Sequence, residues 1–434
     1  MSCAADSPLE HVTPYDRFAW SDVEVERWLV SGAHAQELNA FLGRTEYRQL
    51  GALARRAARA GLHDPSLRVI IVPGIMGSQL GLLRQPPLPN DILWIDPIDI
   101  QIGRLAALRL PETARIVPLG VVLFSYLRLK LALRAHGFAV EFHDYDWRLS
   151  ALDLGRAFAE RLRRAAPARI AIVAHSMGGL VTRAALLQPG VTHVERVVLL
   201  GTPNGGSYAA VQALRGTYAV VRKLARLLGR TSAEMLTRDV FSTFPSLYEL
   251  LPGAAGGATA DLLDPALWPD AGPRPRAELL RSARAARTAF AAADERFTTI
   301  VGVGQETVTA VARRRDEFVY TLTRHGDGTV PTASATLAGA RSVYARVAHS
   351  DLTRDPLVAA AVVDLLKSGR TARLPQQLRS TSRACVQISD RQLQRSHADK
   401  VDWAALTPEQ RRLFLENLNE PPHLKLRVPS SGAR

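Results

Sequence analysis

The stretch RIAIVAHSMGGLVTRAALL, residues 169–187, constrains the fold more than any other part of the chain. A short apolar run with β-branched residues passes directly into His175-Ser176-Met177-Gly178-Gly179, and then into the spacing of an amphipathic helix. A buried strand that becomes a helix at once leaves Ser176 at an abrupt bend. A serine there is either a helix cap or an exposed nucleophile, and the rest of the chain has to decide which.

The same texture recurs along the chain. LRVIIVPGIMGS, GFAVEFHDYDW, VERVVLLGTP and RFTTIVGVG read as strands, and ALDLGRAFAERLRRA reads as a helix between two of them. Strands alternating with helices predict right-handed crossovers and a mostly parallel sheet covered on both faces. EFVYTLTRHGDGTVP and ARSVYARVAH continue the strands, and DPLVAAAVVDLLKSG closes the unit near Gly369. The predicted organisation is a helical N-terminal extension over 1–65, an α/β core over 66–369, and a polar C-terminal extension over 370–434. Within the core, residues 81–115 read as a lid segment and 205–295 as a helical cap insertion, where the alternation stops. In the tail, LTPEQRRLFLENL has a Thr-x-x-Gln cap, and HLKLRV reads as extended.

Composition narrows the class. Hydrophobic residues at 47% and charged residues at 22% predict a folded chain with a sizeable core. The net charge of +14 has two readings: coding bias, since five lysines leave fifty arginines, or attraction to an anionic surface. Without zinc-finger spacing or an aromatic RNP-like strand, nucleic acid is excluded and an anionic membrane is the better partner. Two cysteines, Cys3 and Cys385, form no disulfide framework and no thiolate metal site. The opening MSCAADSPLEHVTPYDRF has no apolar signal region, and the longest uncharged run, residues 197–214, is broken by GTPNGG. The expectation is therefore a cytoplasmic protein with no membrane span, meeting a membrane only at its periphery.

In a strand-to-helix elbow the residues two before and two after the serine must be small, or their Cβ atoms strike neighbouring backbone. Ala174 and Gly178 occupy those positions, so the motif is Ala-x-Ser-x-Gly and favours a nucleophile over a cap. A serine hydroxyl needs a base, and the base needs an acid to orient it. Asp327, in a glycine-flanked loop after one strand, and His349, directly after the next, supply them in the order Ser, Asp, His. His325 is the rival base, but it precedes the acid on the same loop; Asp351 reads as the cap of the final helix. An oxyanion needs two donors. One is the N–H of Met177, and VPGIMGS offers the other, Ile75 first and Met76 next, against the plainer reading of a Pro-Gly turn.

VPGIMGSQL, LWIDP, YDWRL, AHSMGGL, GTPNGGS, FPSLYELLP and GDGTVP occur in that order over residues 67–368. The set resembles the lecithin–cholesterol acyltransferase family, with its lysosomal phospholipase A2-like and phospholipid–diacylglycerol acyltransferase-like members. That resemblance implies an α/β-hydrolase core with a cap, a triad falling on Ser176, Asp327 and His349, and an oxyanion hole from the backbone of Ile75 and Met177. Ile75 departs from the acidic residue common there in the animal enzymes, and no cysteine stands near LRQPPLPNDILWIDP to bridge a lid. A lid could still carry Trp94. In the cap, YAVVRKLARLLGR sets Val220, Val221, Leu224, Leu227 and Leu228 against Arg222, Lys223, Arg226 and Arg230. That pattern fits either a helix on an anionic interface or a cap helix packed on the core. HDYDWR reads as structural, with Asp146 and Arg148 satisfying backbone or each other.

The combined expectation is a serine-dependent lipid acyl-ester hydrolase or acyltransferase of phospholipase or O-acyltransferase type, needing no metal or cofactor. Its substrate-side candidates are Trp94 and Leu224. The alternatives are a soluble carboxylesterase on small or polyester substrates and, further off, a non-catalytic binding protein of the same fold.

Overall fold

The computed structural model describes residues 13, 16 and 19–418, apart from 65, 113, 229–230, 259, 288, 379–383, 396–404 and 417. Cys3, Arg230 and the HLKLRV segment lie outside the described residues. Along the chain come β1 (Leu67–Val72), β2 (Ser78–Leu82), β3 (Asp91–Trp94), β4 (Val117–Val121), β5 (Ala139–Phe142) and β6 (Arg169–His175). They are followed by β7 (Val194–Leu200), β8 (Phe297–Gly302), β9 (Thr307–Arg314), β10 (Glu317–Thr323), β11 (Arg341–Ala345) and β12 (Val386–Ser389).

Six of these strands make the central sheet in the order β11-β8-β7-β6-β1-β5, every neighbour parallel. A parallel sheet is apolar on both faces, which is why its strands read as continuous hydrophobic runs. Along β6 the side chains alternate between two cores. Ile170, Ile172 and Ala174 join the core beneath the cap and the helices Ala151–Ala165 and Met177–Leu186. Ala171 and Val173 join the opposite core, with the helices Leu123–Arg134 and Pro356–Ser368.

The N-terminal helices belong to that second core through Val25, Leu29, Leu38, Leu42, Leu50 and Ala54. The helix Asp22–Ser31 starts with a reciprocal Ser21–Glu24 capping box, and Lys130 on the helix Leu123–Arg134 pairs with Asp22 and Glu26. The final core helix, Pro356–Ser368, is capped by Asp355, whose carboxylate takes the N–H groups of Leu357 and Val358. Asp351 is not that cap: proline at the first helical position sets the start one residue after Asp355.

Two small antiparallel sheets, β3-β2-β4 and β12-β10-β9, flank the main one. The first carries the region expected to form a lid, and a buried ion network straps it down. Arg84 reaches Asp16 at 2.9 Å and Asp91 at 3.0 Å, while Arg104 reaches Asp91 at 2.6 Å and Asp99 at 2.5 Å. Trp94 is only 2% exposed here.

The sheet order fixes where a site can form. The chain leaves β1 toward β5 on one side and leaves β6 toward β7 on the other, so the loops after β1 and β6 diverge above adjacent strand ends. That divergence opens a crevice at the carboxyl edge of the sheet.

Candidate active site

Ser176 stands on the elbow that follows β6. Its backbone has φ 53° and ψ −129°, a conformation that costs a non-glycine residue about 1–3 kcal/mol and persists only where its surroundings impose it. The surroundings do so. Ser176 N–H donates to Leu200 O on β7 at 2.9 Å, and the helix Met177–Leu186 starts with the next residue. A Cβ on Gly178 would strike the carbonyl oxygens of Val72, at the end of β1, and Pro73, at the start of the loop after it, and one on Gly74 would lie 2.7 Å from Ser176 Cβ. The two loops can therefore touch only because each presents a glycine to the other.

Three side chains meet over this elbow. His349 Nε2 lies 2.9 Å from Ser176 Oγ, and His349 Nδ1 lies 2.7 Å from Asp327 Oδ2. Asp327 is 1% exposed, and its other oxygen, Oδ1, accepts from the N–H groups of Thr329 at 3.0 Å and Val330 at 2.7 Å. The Asp-Gly-Thr-Val stretch is thus a turn wound around its own carboxylate. That turn aims Oδ2 at the imidazole. His349 N–H also donates to Asp327 O at 2.8 Å, which locks the two loops to each other through the backbone. Gly201 and Gly302 give the group room: a Cβ on the first would sit 3.0 Å from Asp327 Oδ2, and on the second 2.6 Å from Asp327 Cβ. The nitrogen facing Ser176 is that of His349, not of His325.

The loop after β1 runs beside the serine. Met76 has φ 63°, the second strained non-glycine residue at this edge. Gly77 N–H donates to Gly74 O at 3.0 Å. In a trans peptide C=O and N–H point opposite ways, so this bond turns Ile75 N–H to the other side of the loop. Among the described residues no protein acceptor takes the N–H of Ile75 or of Met177. Met177 N–H belongs to the first turn of its helix, where the backbone dipole favours negative charge.

Side chains from distant segments hold this loop. Tyr145 Oη donates to Pro73 O at 2.6 Å, Trp94 Nε1–H to Met76 O at 3.0 Å, and Gly74 N–H to Tyr126 Oη at 2.9 Å. Trp94 is therefore a brace, stacked edge-on against Trp147 with ring centroids 5.2 Å apart, and no part of a mobile lid. In the HDYDWR stretch Arg148 donates to both oxygens of Asp146 and to Leu108 O, which makes it structural as its pattern suggests. Leu224 is wholly buried. Its helix, Ala219–Leu227, packs into the cap with Arg222 also buried, so this helix presents no amphipathic face to a membrane. The apolar face that looked suited to an interface is used up by the core.

An apolar cleft opens beside Ser176, with about 500 Å³ of unfilled space that includes the solvent in its opening. Ile75, Met76, Leu247, Leu250 and Val330 line it, and the helix Tyr208–Leu214 turns Ala209, Ala210 and Ala213 toward it. Three alanines on one helix face leave space that larger side chains would fill. Tyr218 closes part of the wall, its phenol buried and pushed up to about 12 by loss of solvent. Neither Trp94 nor Leu224 lines the cavity.

The residues that pattern reasoning passed over are Tyr126 and His175. Tyr126 sits in an unremarkable helix, and His175 was only a letter inside the serine motif. His175 Nδ1 lies 3.0 Å from Tyr126 Oη, and its Nε2 lies 3.0 Å from His349 O. Burial, and then repulsion from the His349 ring, push the His175 imidazole down to about 3.

The lecithin:cholesterol acyltransferase family model matches residues 138–357, just over half of the chain. The protein belongs to that family. The matched span holds Ser176, Asp327 and His349, while Ile75 lies ahead of it. Comparison with curated proteins finds no relative. Among solved structures, the mature lipase BlEst2 of Bacillus licheniformis is similar at 16% identity and TM-score 0.38, over 72% of this chain and 96% of that one. The Tle4–Tli4 complex is similar at 14% identity and TM-score 0.40, over 69% of this chain and 98% of that one. Phospholipase PlaB of Legionella pneumophila is similar at 12% identity and TM-score 0.26, over 62% and 45%. Superpositions this loose add nothing to what the sheet order of this acyltransferase-family member shows. No helix among the described residues is long and apolar enough to cross a membrane.

Proposed function

We propose that the protein is a serine-dependent acyl-ester hydrolase or acyltransferase that takes lipid esters. The observation carrying this reading is the bonded series Ser176–His349–Asp327 at the mouth of an apolar cavity. Family membership supports the acyl-ester class.

In this reading Ser176 Oγ attacks the ester carbonyl carbon while its proton passes to His349 Nε2. Asp327 Oδ2 holds Nδ1–H and stabilises the imidazolium that forms. The carbonyl oxygen becomes an oxyanion and turns to the N–H groups of Ile75 and Met177, where each donor is worth about 3 kcal/mol. The tetrahedral intermediate collapses, the C–O bond to the leaving alcohol breaks, and His349 returns the proton to that alcohol. Water or an acceptor alcohol then attacks the acyl-serine carbonyl while His349 takes its proton; the bond from the acyl carbon to Ser176 Oγ breaks, His349 returns the proton to Oγ, and the acid or new ester leaves. The acyl chain occupies the alanine-lined cavity, where each buried methylene contributes about 0.8 kcal/mol.

The test is incubation with mixed phospholipid vesicles and a long-chain alcohol, followed by product analysis. Labelling by a fluorophosphonate is measured in the same protein and in Ser176→Ala. Free fatty acid alone assigns a hydrolase, and new esters assign a transferase. Cleavage of small esters with the lipids untouched would replace the lipid assignment with a soluble carboxylesterase. A folded protein that does not label would end the serine mechanism.

A further inference from the structure

We infer that Tyr126 and His175 are positioning residues, bonded in series so that they join the loop carrying the Ile75 donor to the backbone of His349. The inference rests on the acyl-transfer reading of Ser176 and concerns how its two arms are kept in register.

Chemistry fixes the direction of each bond. Gly74 N–H can only donate, so Tyr126 Oη accepts from it at 2.9 Å. His349 O is a carbonyl and can only accept, so His175 Nε2 carries the hydrogen across the 3.0 Å to it. A neutral imidazole then has its lone pair on Nδ1, and Tyr126 O–H donates there across 3.0 Å. The series reads Gly74 N–H to Tyr126 O–H to His175 Nδ1, and His175 Nε2–H to His349 O=C. Every polar group in it is satisfied with His175 neutral. A second proton on His175 would leave the Tyr126 hydroxyl facing two donors, with no acceptor for its own hydrogen. Burial independently keeps that proton off, and the charged His349 that forms during turnover discourages it further.

The geometry leaves the series little slack. The His175 and His349 rings lie 4.7 Å apart at an interplanar angle of 40°. Tyr126 Oη reaches its place because residue 77 is glycine: a Cβ there would lie 2.7 Å from it. Thr353 Oγ1, in the turn His349–Thr353, donates to Ser125 O at 2.7 Å and ties the base's own segment to the helix that carries Tyr126. One helix residue and one ring thus span the distance between the donor loop and the base. Neither has to touch the substrate.

Two variants test this. Tyr126→Phe keeps the ring and removes both hydroxyl bonds. His175→Gln keeps a donor for His349 O without the aromatic acceptor that Tyr126 uses. With p-nitrophenyl butyrate, each is expected to lower kcat by about tenfold to a hundredfold, the cost of misplacing reacting groups by a fraction of an ångström to an ångström. KM should stay within about twofold. Affinity for an alkylboronic acid, which forms a tetrahedral anion on the serine, should fall by the same factor as kcat/KM, because both depend on the donors' position. A purely structural role would lower the melting temperature and leave these ratios alone.

Folded variants with kcat and boronate affinity within about threefold of wild type would overturn the inference. So would failure of both variants to fold, since the pair would then serve the fold rather than the register of the site. If the wild type itself neither labels with fluorophosphonate nor turns over the ester, the acyl-transfer reading fails and takes the inference with it. A labelled, active wild type with indifferent variants removes this inference alone.

Discussion

The loops after β6 and after β1 face each other across the same crevice and are held in different ways. The elbow at Ser176 is made almost entirely by its neighbours in the chain. Its strand, its glycines and the helix that follows lie within residues 169–186, with one backbone bond to β7. The loop at residues 73–77 is held from afar, by Tyr145 on Pro73, Tyr126 on Gly74 and Trp94 on Met76. A serine elbow held locally leaves a compact signature. A loop held by remote side chains shows its own Pro-Gly turn in the sequence but not the residues that brace it.

The largest effect expected from this contrast is at the elbow. Ser176→Ala should lower ester turnover by about 10^5- to 10^6-fold and abolish fluorophosphonate labelling, with the melting temperature little changed. Residual labelling at another residue would break the assignment of the elbow as the reacting element.

The next prediction concerns the point where the two loops touch. Gly178→Ala puts a methyl against the backbone oxygens of Val72 and Pro73, which have no side-chain freedom to yield. It should cost about 1–3 kcal/mol in urea unfolding, through strain in a packed site. Turnover in the folded fraction should fall by about a hundredfold, because the donor loop is pushed from the serine. Unchanged stability would mean that the loops are not in contact.

A smaller effect is expected from one remote brace. Tyr145→Phe removes the hydroxyl bond to Pro73 O and should destabilise the fold by about 1 kcal/mol. With two other braces still in place, kcat should fall by severalfold at most. A fall as large as that of Gly178→Ala would show that the loop hangs on one bond rather than three.

How much of this was legible follows from the same contrast. The parallel sheet was readable because its strands, buried on both faces, are continuous apolar runs broken by Pro-Gly and Gly-Thr-Pro turns. Ser176 could be picked out because it sits directly after such a run; Asp327 and His349 each stand in the loop after a strand, β10 of a flanking antiparallel sheet and β11 at the edge of the main one, and the structure brings the three within bonding distance. Trp94 and Leu224 misled for one reason: an aromatic in a Pro-rich stretch and a leucine in a basic helix look available for substrate, but both are spent on packing. Asp351 misled because two aspartates stand four residues apart, and only the one before proline can cap. Tyr126 left no trace, since its partners are 52 residues before it and 49 after.

The effect furthest from turnover, on how stability depends on pH, lies in the strapped segment behind Trp94. Burial first, then the nearby Asp99 carboxylate, raise Asp96 to about 7, against the opposing bonds from Thr13 O–H and the N–H groups of Ile98 and Asp99. A carboxyl that is more basic folded than unfolded binds its proton preferentially in the native state. Its contribution to stability is therefore present at low pH and is lost as pH rises from about 4 through about 7. Asp96→Asn should reduce the difference in unfolding midpoint between pH 5 and pH 8. An unchanged difference would show that Asp96 titrates alike in both states.

The divergence of chain direction between β1 and β6 separates what the strand tips hold from what the long connections hold. Two adjacent strand ends present the Ser176 hydroxyl and the loop at residues 73–77, yet nearly a hundred residues run between them, and a second long excursion follows β7. The second excursion supplies most of the cavity wall, from Pro203 to Leu250, while the strand tips carry Ser176 and the loop beside it. Under the proposed function, substitutions in that wall would change which esters fit and leave the Ser176–His349–Asp327 geometry in place.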